Sequence, residues 1–122
     1  MSHNNIPCIF NDIKDPGDRF RLDNLMNKGV YGTVYSAIDT QAGHNKVAIK
    51  IQVLTSETQE IIIEEYRVLR DLSNHPNVPH FYGIYRNRCG RSNKADEIWL
   101  VMEFEISALQ EVLGILLETF NK

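Results

Sequence analysis

The sequence predicts an α+β fold: a five-stranded antiparallel sheet with one main helix, followed by a second helix toward the C-terminal end. Short apolar segments rich in β-branched and aromatic residues are separated by turn residues, as is typical of strands joined in hairpins. One longer segment has the apolar spacing of a helix and follows the third strand-like segment. At 122 residues the chain has room for one modest core.

The composition is that of a globular protein and argues against several functional classes. Hydrophobic residues make up 43% of the chain and charged residues 24%, and no apolar stretch approaches the roughly 18 residues of a membrane span. The net charge of -3 gives no basic field, so we expect no nucleic acid partner. Cys8 and Cys89 are too few for a disulfide framework or a metal site, which favours a cytoplasmic protein.

The chain divides into three predicted segments. Residues 1–18 are polar and turn-rich, which predicts a leader, and the strand and helix patterns fall within residues 19–104. In residues 105–122, Ser107 and Gln110 have the spacing of a helix capping box. An apolar stripe at helical spacing accompanies this box: Leu109, Val112, Leu113, Leu116, Leu117 and Phe120. We expect a helix that packs on this unit or on a second lobe, the alternative being a protein partner at the Leu109–Phe120 stripe.

The first three strands are predicted from two turns. Apolar and β-branched residues over 20–38 flank Gly29 and Gly32, which predicts a hairpin with a glycine-bearing tip. A second turn at residues 41–45 leads into residues 47–51, which are short and apolar enough for a half-buried third strand.

The main helix is predicted to begin at a capping box formed by Ser56 and Gln59 and to end at about Ser73. Its apolar face comprises Ile61, Ile62, Tyr66, Leu69 and Leu72. Glu65 falls within this face, and a carboxylate facing a core is costly unless it is paired. We therefore expect Glu65 to pair with an inward-facing cation, and Lys50 on the third strand is the candidate.

Two more strands follow the helix. Residues 81–85 predict the fourth strand, and the polar residues 86–96 predict a hairpin loop. Residues 98–104 are the most apolar of the strand-like segments, so we expect the fifth strand to be central in the sheet.

Three motifs taken together resemble those of protein kinases. They are Asn27-Lys28-Gly29-Val30-Tyr31-Gly32-Thr33-Val34-Tyr35, then Val47-Ala48-Ile49-Lys50, then Glu65 on the helix. The resemblance implies that the glycines let the hairpin backbone close over the phosphates of ATP. It also implies that Lys50 meets the α- and β-phosphates and that Glu65 holds Lys50 in place.

The resemblance covers about Asp15 to Phe104 and implies the N-terminal lobe of a serine/threonine kinase. Within the kinases the chain is most similar to the germinal-centre, sterile-20-like group. The DPGDRF leader and the run IWLVMEF resemble the kinase domain of class III myosins, which implies association with the cytoskeleton. Residues 105–122 would then be the hinge and the start of a helix of a truncated second lobe.

The same resemblance implies roles for individual residues. Lys50 and Glu65 would be the catalytic pair. The ATP-binding residues would be Met26, Asn27, Gly29, Gly32, Val34, Ala48, Lys50, Met102, Glu103 and Glu105. Val34 and Ala48 would enclose the adenine ring, with Met102 as the gatekeeper. The backbone of Glu103 and Glu105 would hydrogen-bond the adenine edge.

The sequence also departs from the kinase pattern. Asn27 replaces the first glycine of the loop, and the interval of fifteen residues from Lys50 to Glu65 implies a tight link before the helix. The chain contains no His-Arg-Asp and no Asp-Phe-Gly, the motifs that supply the general base and a Mg²⁺ ligand. We therefore expect no metal site in this chain, Mg²⁺ and protein substrate binding only in the intact kinase, and no phosphate transfer by these 122 residues alone.

Two functions remain open at this point. The chain is either the ATP-binding part of a protein serine/threonine kinase or a non-catalytic, pseudokinase-like or scaffold module that docks a protein partner. A third and weaker interpretation is a small β-rich protein with kinase-like spacing by chance.

Overall fold

The computed structural model describes residues 8–29, 32–76, 78–90 and 93–104. In chain order the elements are a 3-10 helix Cys8–Asp12, β1 Phe20–Gly29, β2 Gly32–Asp39, β3 Asn45–Val53, α1 Gln59–Asp71, β4 Phe81–Asn87 and β5 Glu97–Glu103. The five strands form one antiparallel sheet. This confirms the predicted α+β class, whereas the predicted C-terminal helix lies outside the described residues.

The strand order in the sheet is β1-β2-β3-β5-β4, so β5 lies between β3 and β4. Its residues Ile98 to Met102 are all buried, which confirms that the most apolar strand is an interior one. Register pairs Val34 with Lys50 across β2 and β3, and Ala48 with Met102 across β3 and β5. Because side chains alternate along strands, these four residues lie on the same face of the sheet.

The two faces of the sheet carry separate apolar clusters. The face that bears Val34, Ala48 and Met102 packs on α1 through Ile62 and Leu69. The opposite face buries Phe20, Ala37, Val47, Ile49, Trp99 and Val101. Near this second cluster, Arg19 donates from Nε and Nη2 to both carboxylate oxygens of Asp39, at 2.9 and 2.8 Å.

The described part of the leader packs against the sheet and α1. Phe10 is only 1% exposed and belongs to the cluster that packs on α1. Arg86 donates from Nη1 to the carbonyl oxygen of Phe10 at 3.0 Å, and Arg88 donates from Nη2 to that of Ile13 at 3.0 Å. The boundary at residue 19 stays a prediction, but residues before it contribute to the core.

The predicted start of the main helix was wrong by a few residues. The helix begins at Gln59 with Thr58, not Ser56, as its N-cap residue, and it ends at Asp71 rather than Ser73. The Thr58 hydroxyl donates to the carbonyl oxygen of Val53 at 2.6 Å and accepts from the backbone N–H of Thr55 at 2.9 Å. It therefore closes the short link between β3 and α1 instead of capping the helix N–H groups.

Replacing Thr58 with Val is expected to lower the free energy of unfolding by about 1–2 kcal/mol, because it removes both hydrogen bonds of the link. Ser56→Ala is the matched control and should change it by less than about 0.5 kcal/mol, since Ser56 is exposed. Urea unfolding followed by the fluorescence of Trp99 measures both. If Ser56→Ala lowered the free energy of unfolding more than Thr58→Val does, Ser56 would be the capping residue after all.

Candidate functional site

The centre of the site is an ion pair between β3 and α1. Lys50 lies on the face of β3 that packs on the helix, and Glu65 lies on the buried face of α1. The Lys50 Nζ atom is 2.7 Å from Glu65 Oε2, and the two side chains are 4% and 0% exposed. The structure thus confirms the pairing that was predicted from the position of Glu65 within the apolar stripe.

The electrostatics of Glu65 depend on this pairing. Burial raises the pKa of Glu65 above its ordinary value, while the Lys50 ammonium and the Gln52 amide act in the opposite direction. A buried carboxylate loses the solvation of water, and the nearby Lys50 ammonium compensates part of this loss for Glu65. The pair therefore joins the helix to the strand.

A second polar residue from β3 reaches the same carboxylate and was missed in the sequence analysis. The Gln52 amide Nε2 donates a hydrogen bond of 2.8 Å to Glu65 Oε1, and Gln52 is 6% exposed. Alternation along a strand could have found it, because the second residue after Lys50 points to the same face. One oxygen of Glu65 thus accepts a hydrogen bond from Gln52, and the other forms the ion pair with Lys50.

The tip of the β1–β2 hairpin lies against β3 beside this pair. Gly32 has φ of +130°, and a β-carbon there would lie 2.7 Å from Gln52 Cγ, 2.8 Å from the carbonyl oxygen of Ile51 and 3.3 Å from Lys50 Cε. Only glycine fits this backbone conformation and this close approach. Gly29 is different, since the atom nearest to a β-carbon there would be 3.9 Å away.

A cavity of about 250 Å³ opens between the hairpin tip, β3 and the start of α1. Gly29 and Gly32 form one wall, Gln52 lies in the β3 wall, and Thr58 and Ile61 line the side of the helix. A space for a small ligand therefore exists beside the buried pair.

The other predicted binding residues separate into two groups. Val34, Ala48 and Met102 are buried in one cluster, and Met26 packs against it partly buried. Asn27, the residue in the place of the first glycine, is exposed on β1.

The predicted hinge residues are described only in part. The backbone N–H of Glu103 donates to the carbonyl oxygen of His80 at 2.8 Å. Glu105 and the Leu109–Phe120 stripe lie outside the described residues.

The described ranges contain no group of three or more His, Cys, Asp or Glu side chains that could hold a metal ion. Within the same ranges, no helix is long and apolar enough to cross a membrane.

These features define a class of protein. An antiparallel sheet of five strands, a helix after the third strand, a glycine at the tip of the first hairpin and a buried Lys–Glu pair are the parts of a protein kinase N-terminal lobe. The family model described as "Protein tyrosine and serine/threonine kinase" matches residues 20–116 of the chain. The chain therefore belongs to the protein kinase family.

Known proteins that are similar to this chain support the resemblance to sterile-20-like kinases and class III myosins. The chain is 42% identical over 92 residues to "Neither inactivation nor afterpotential protein C" of Drosophila melanogaster, a match that covers 75% of the chain and 6% of that protein. It is 39% identical over 95 residues to Myosin-IIIa of Mus musculus, a match that covers 78% of the chain and 6% of that protein. It is 34% identical over 92 residues to Misshapen-like kinase 1 of Rattus norvegicus, a match that covers 75% of the chain and 7% of that protein. The chain thus spans less than a tenth of the length of these relatives.

Proposed function

We propose that the chain is the ATP-binding part of a protein serine/threonine kinase, which transfers a phosphoryl group from ATP to protein hydroxyls. The observation that carries this proposal is the buried 2.7 Å pair of Lys50 and Glu65. Burying a lysine costs free energy because its ammonium loses the solvation of water, and here a carboxylate holds that ammonium in place. A fixed positive charge of this kind suits an anionic ligand such as a triphosphate. The similarity to Myosin-IIIa supports a cytoplasmic location in association with the cytoskeleton.

The position of Gly32 is compatible with a nucleotide held by Lys50. Because Gly32 has no β-carbon, the hairpin backbone lies against Ile51 and Gln52 of β3, next to Lys50. The cavity beside it is about 250 Å³ in volume. By the kinase resemblance, Val34, Ala48 and Met102 would enclose the purine ring and Lys50 would hold the phosphates. These four side chains are buried in this structure and lie outside the lining of the cavity.

Protein kinases generally use ATP with Mg²⁺, which neutralises charge on the phosphates. In this proposal Lys50 provides the positive charge that the chain itself brings to the phosphates. Glu65 keeps the ammonium oriented and lowers its freedom to move. Because both groups are buried, their interaction is stronger than that of a surface pair.

The test is thermal unfolding of the chain with and without millimolar magnesium-ATP. A ligand that binds only the folded state stabilises it by about 2.7 kcal/mol at a hundred times its Kd, a rise of several degrees in Tm. We expect this rise in the wild-type chain and in Lys46→Met, which removes an exposed lysine of the same strand. Lys50→Met should abolish it. A folded wild-type chain without a rise, or an equal rise in Lys50→Met, would contradict the proposal.

A further inference from the structure

Gln52 lies between three parts of the proposed nucleotide site. It follows Lys50 on the same face of β3, its amide contacts Glu65 on α1, and its Cγ lies 2.7 Å from the place of a β-carbon at Gly32. The side chain is also part of the cavity wall. A single neutral side chain therefore contacts the helix and adjoins the hairpin tip.

The two oxygens of the Glu65 carboxylate make different contacts, a hydrogen bond with Gln52 and an ion pair with Lys50. Gln52 Nε2 lies 2.8 Å from Oε1, whereas Lys50 Nζ lies 2.7 Å from Oε2. Both contacting side chains come from β3, so the carboxylate is held at two points relative to one strand. With an apolar residue at position 52, Lys50 alone would hold the carboxylate of Glu65. The carboxylate would then be free to rotate about its last bond.

We propose that Gln52 is a positioning residue of the ATP site, which fixes the carboxylate of Glu65 so that the Lys50 ammonium is directed toward the phosphates. This inference rests on the proposed function, since it concerns the same site. Gln52 acts through Glu65 and Lys50, and it carries no charge that would repel or attract the nucleotide at a distance.

The first measurement concerns Glu65 and needs no nucleotide. NMR titration of the carboxyl carbon of Glu65 is compared between the wild-type chain and Gln52→Met, whose side chain has similar length but no donor. Lys50 is the charged side chain that faces Glu65 from β3 in both proteins. We expect a higher pKa for Glu65 in Gln52→Met, because the amide hydrogen bond stabilises the carboxylate form. Gln41→Met, which changes an exposed glutamine, should leave the titration as in the wild type.

The second measurement is the affinity for magnesium-ATP. Gln52→Met is expected to bind about tenfold more weakly than the wild type, the loss for one hydrogen bond to a charged group. In Gln52→Glu the new carboxyl group donates to Glu65 only when it is protonated. Its affinity relative to the wild type should therefore recover as the pH is lowered from about 8 to about 6. The ionised carboxyl group would also repel Glu65 and the phosphates, so the titration of Glu65 in Gln52→Met is the measurement that separates positioning from packing.

The two measurements separate this inference from the proposed function. An unchanged titration of Glu65 in Gln52→Met, with ATP binding intact, overturns the positioning role and leaves the proposed function in place. A wild-type chain that binds no ATP overturns the proposed function, and a raised pKa of Glu65 in Gln52→Met then still supports the orienting contact. If Gln52→Met does not fold, the same titration of Glu65 in Gln52→Leu decides the question.

Discussion

Lys50→Met is expected to lower the free energy of unfolding by about 3–5 kcal/mol at neutral pH. The substitution leaves the carboxylate of Glu65 in the core without its cation, and Glu65 is 0% exposed. The variant should regain part of this stability where Glu65 can take up a proton. Urea unfolding of wild type and variant, followed by the fluorescence of Trp99, measures the loss.

The loss should depend on pH in a defined direction. Burial raises the pKa of Glu65 and Lys50 opposes this rise, so the pKa in Lys50→Met lies higher than in the wild type. A carboxyl group with a raised pKa in the folded state favours folding below its unfolded pKa, and this contribution is lost as pH rises through the folded pKa. The variant should therefore be closer in stability to the wild type at pH about 5 than at pH about 8.

Two further variants test whether the unpaired charge is the cause. Combining Lys50→Met with Glu65→Leu removes both charges and should recover most of the lost stability. Glu64→Gln changes the neighbouring carboxylate, which is 44% exposed, and should change the free energy of unfolding by less than about 0.5 kcal/mol. A double variant no more stable than Lys50→Met alone would show that the buried carboxylate is not the source of the loss.

Gly32→Ala is the second substitution with a large expected effect. It should lower the free energy of unfolding by about 2–4 kcal/mol. Its methyl group would lie 2.8 Å from the backbone oxygen of Ile51, which cannot move aside as a flexible side chain can. Its φ of +130° is also unfavourable for any residue with a β-carbon. Urea unfolding measures the loss, and the rise of Tm with magnesium-ATP should disappear with it.

Two glycines separate the causes of this effect. Gly43 has φ of +65° but no atom within 4 Å of a β-carbon, so Gly43→Ala should show the backbone cost alone, about 1–2 kcal/mol. Gly29→Ala meets its nearest atom at 3.9 Å and should lose less than about 1 kcal/mol. Equal losses for Gly32→Ala and Gly43→Ala would mean that the contact of the hairpin tip with β3 contributes nothing.

The sequence by itself determined the five strands, the helix after the third strand and the central pair of the site. Alternation along β3 and the 3.6-residue period of α1 are local properties, so the inward directions of Lys50 and Glu65 followed from them. The burial of β5 followed from its uninterrupted apolar residues in the same way. The kinase motifs then connected these positions to a family.

Apart from the pair of Lys50 and Glu65, only the tertiary structure decided which polar groups meet. Ser56 and Thr58 were both acceptable capping residues by type, and the path of the chain after Val53 places Thr58 at the link. Phe10 is an apolar residue in a polar segment; its side chain is buried in the cluster that packs on α1, and its carbonyl oxygen accepts a hydrogen bond from Arg86, which is distant in sequence. Such contacts join residues far apart in the chain, and local periodicity carries no information about which distant partners fold onto them.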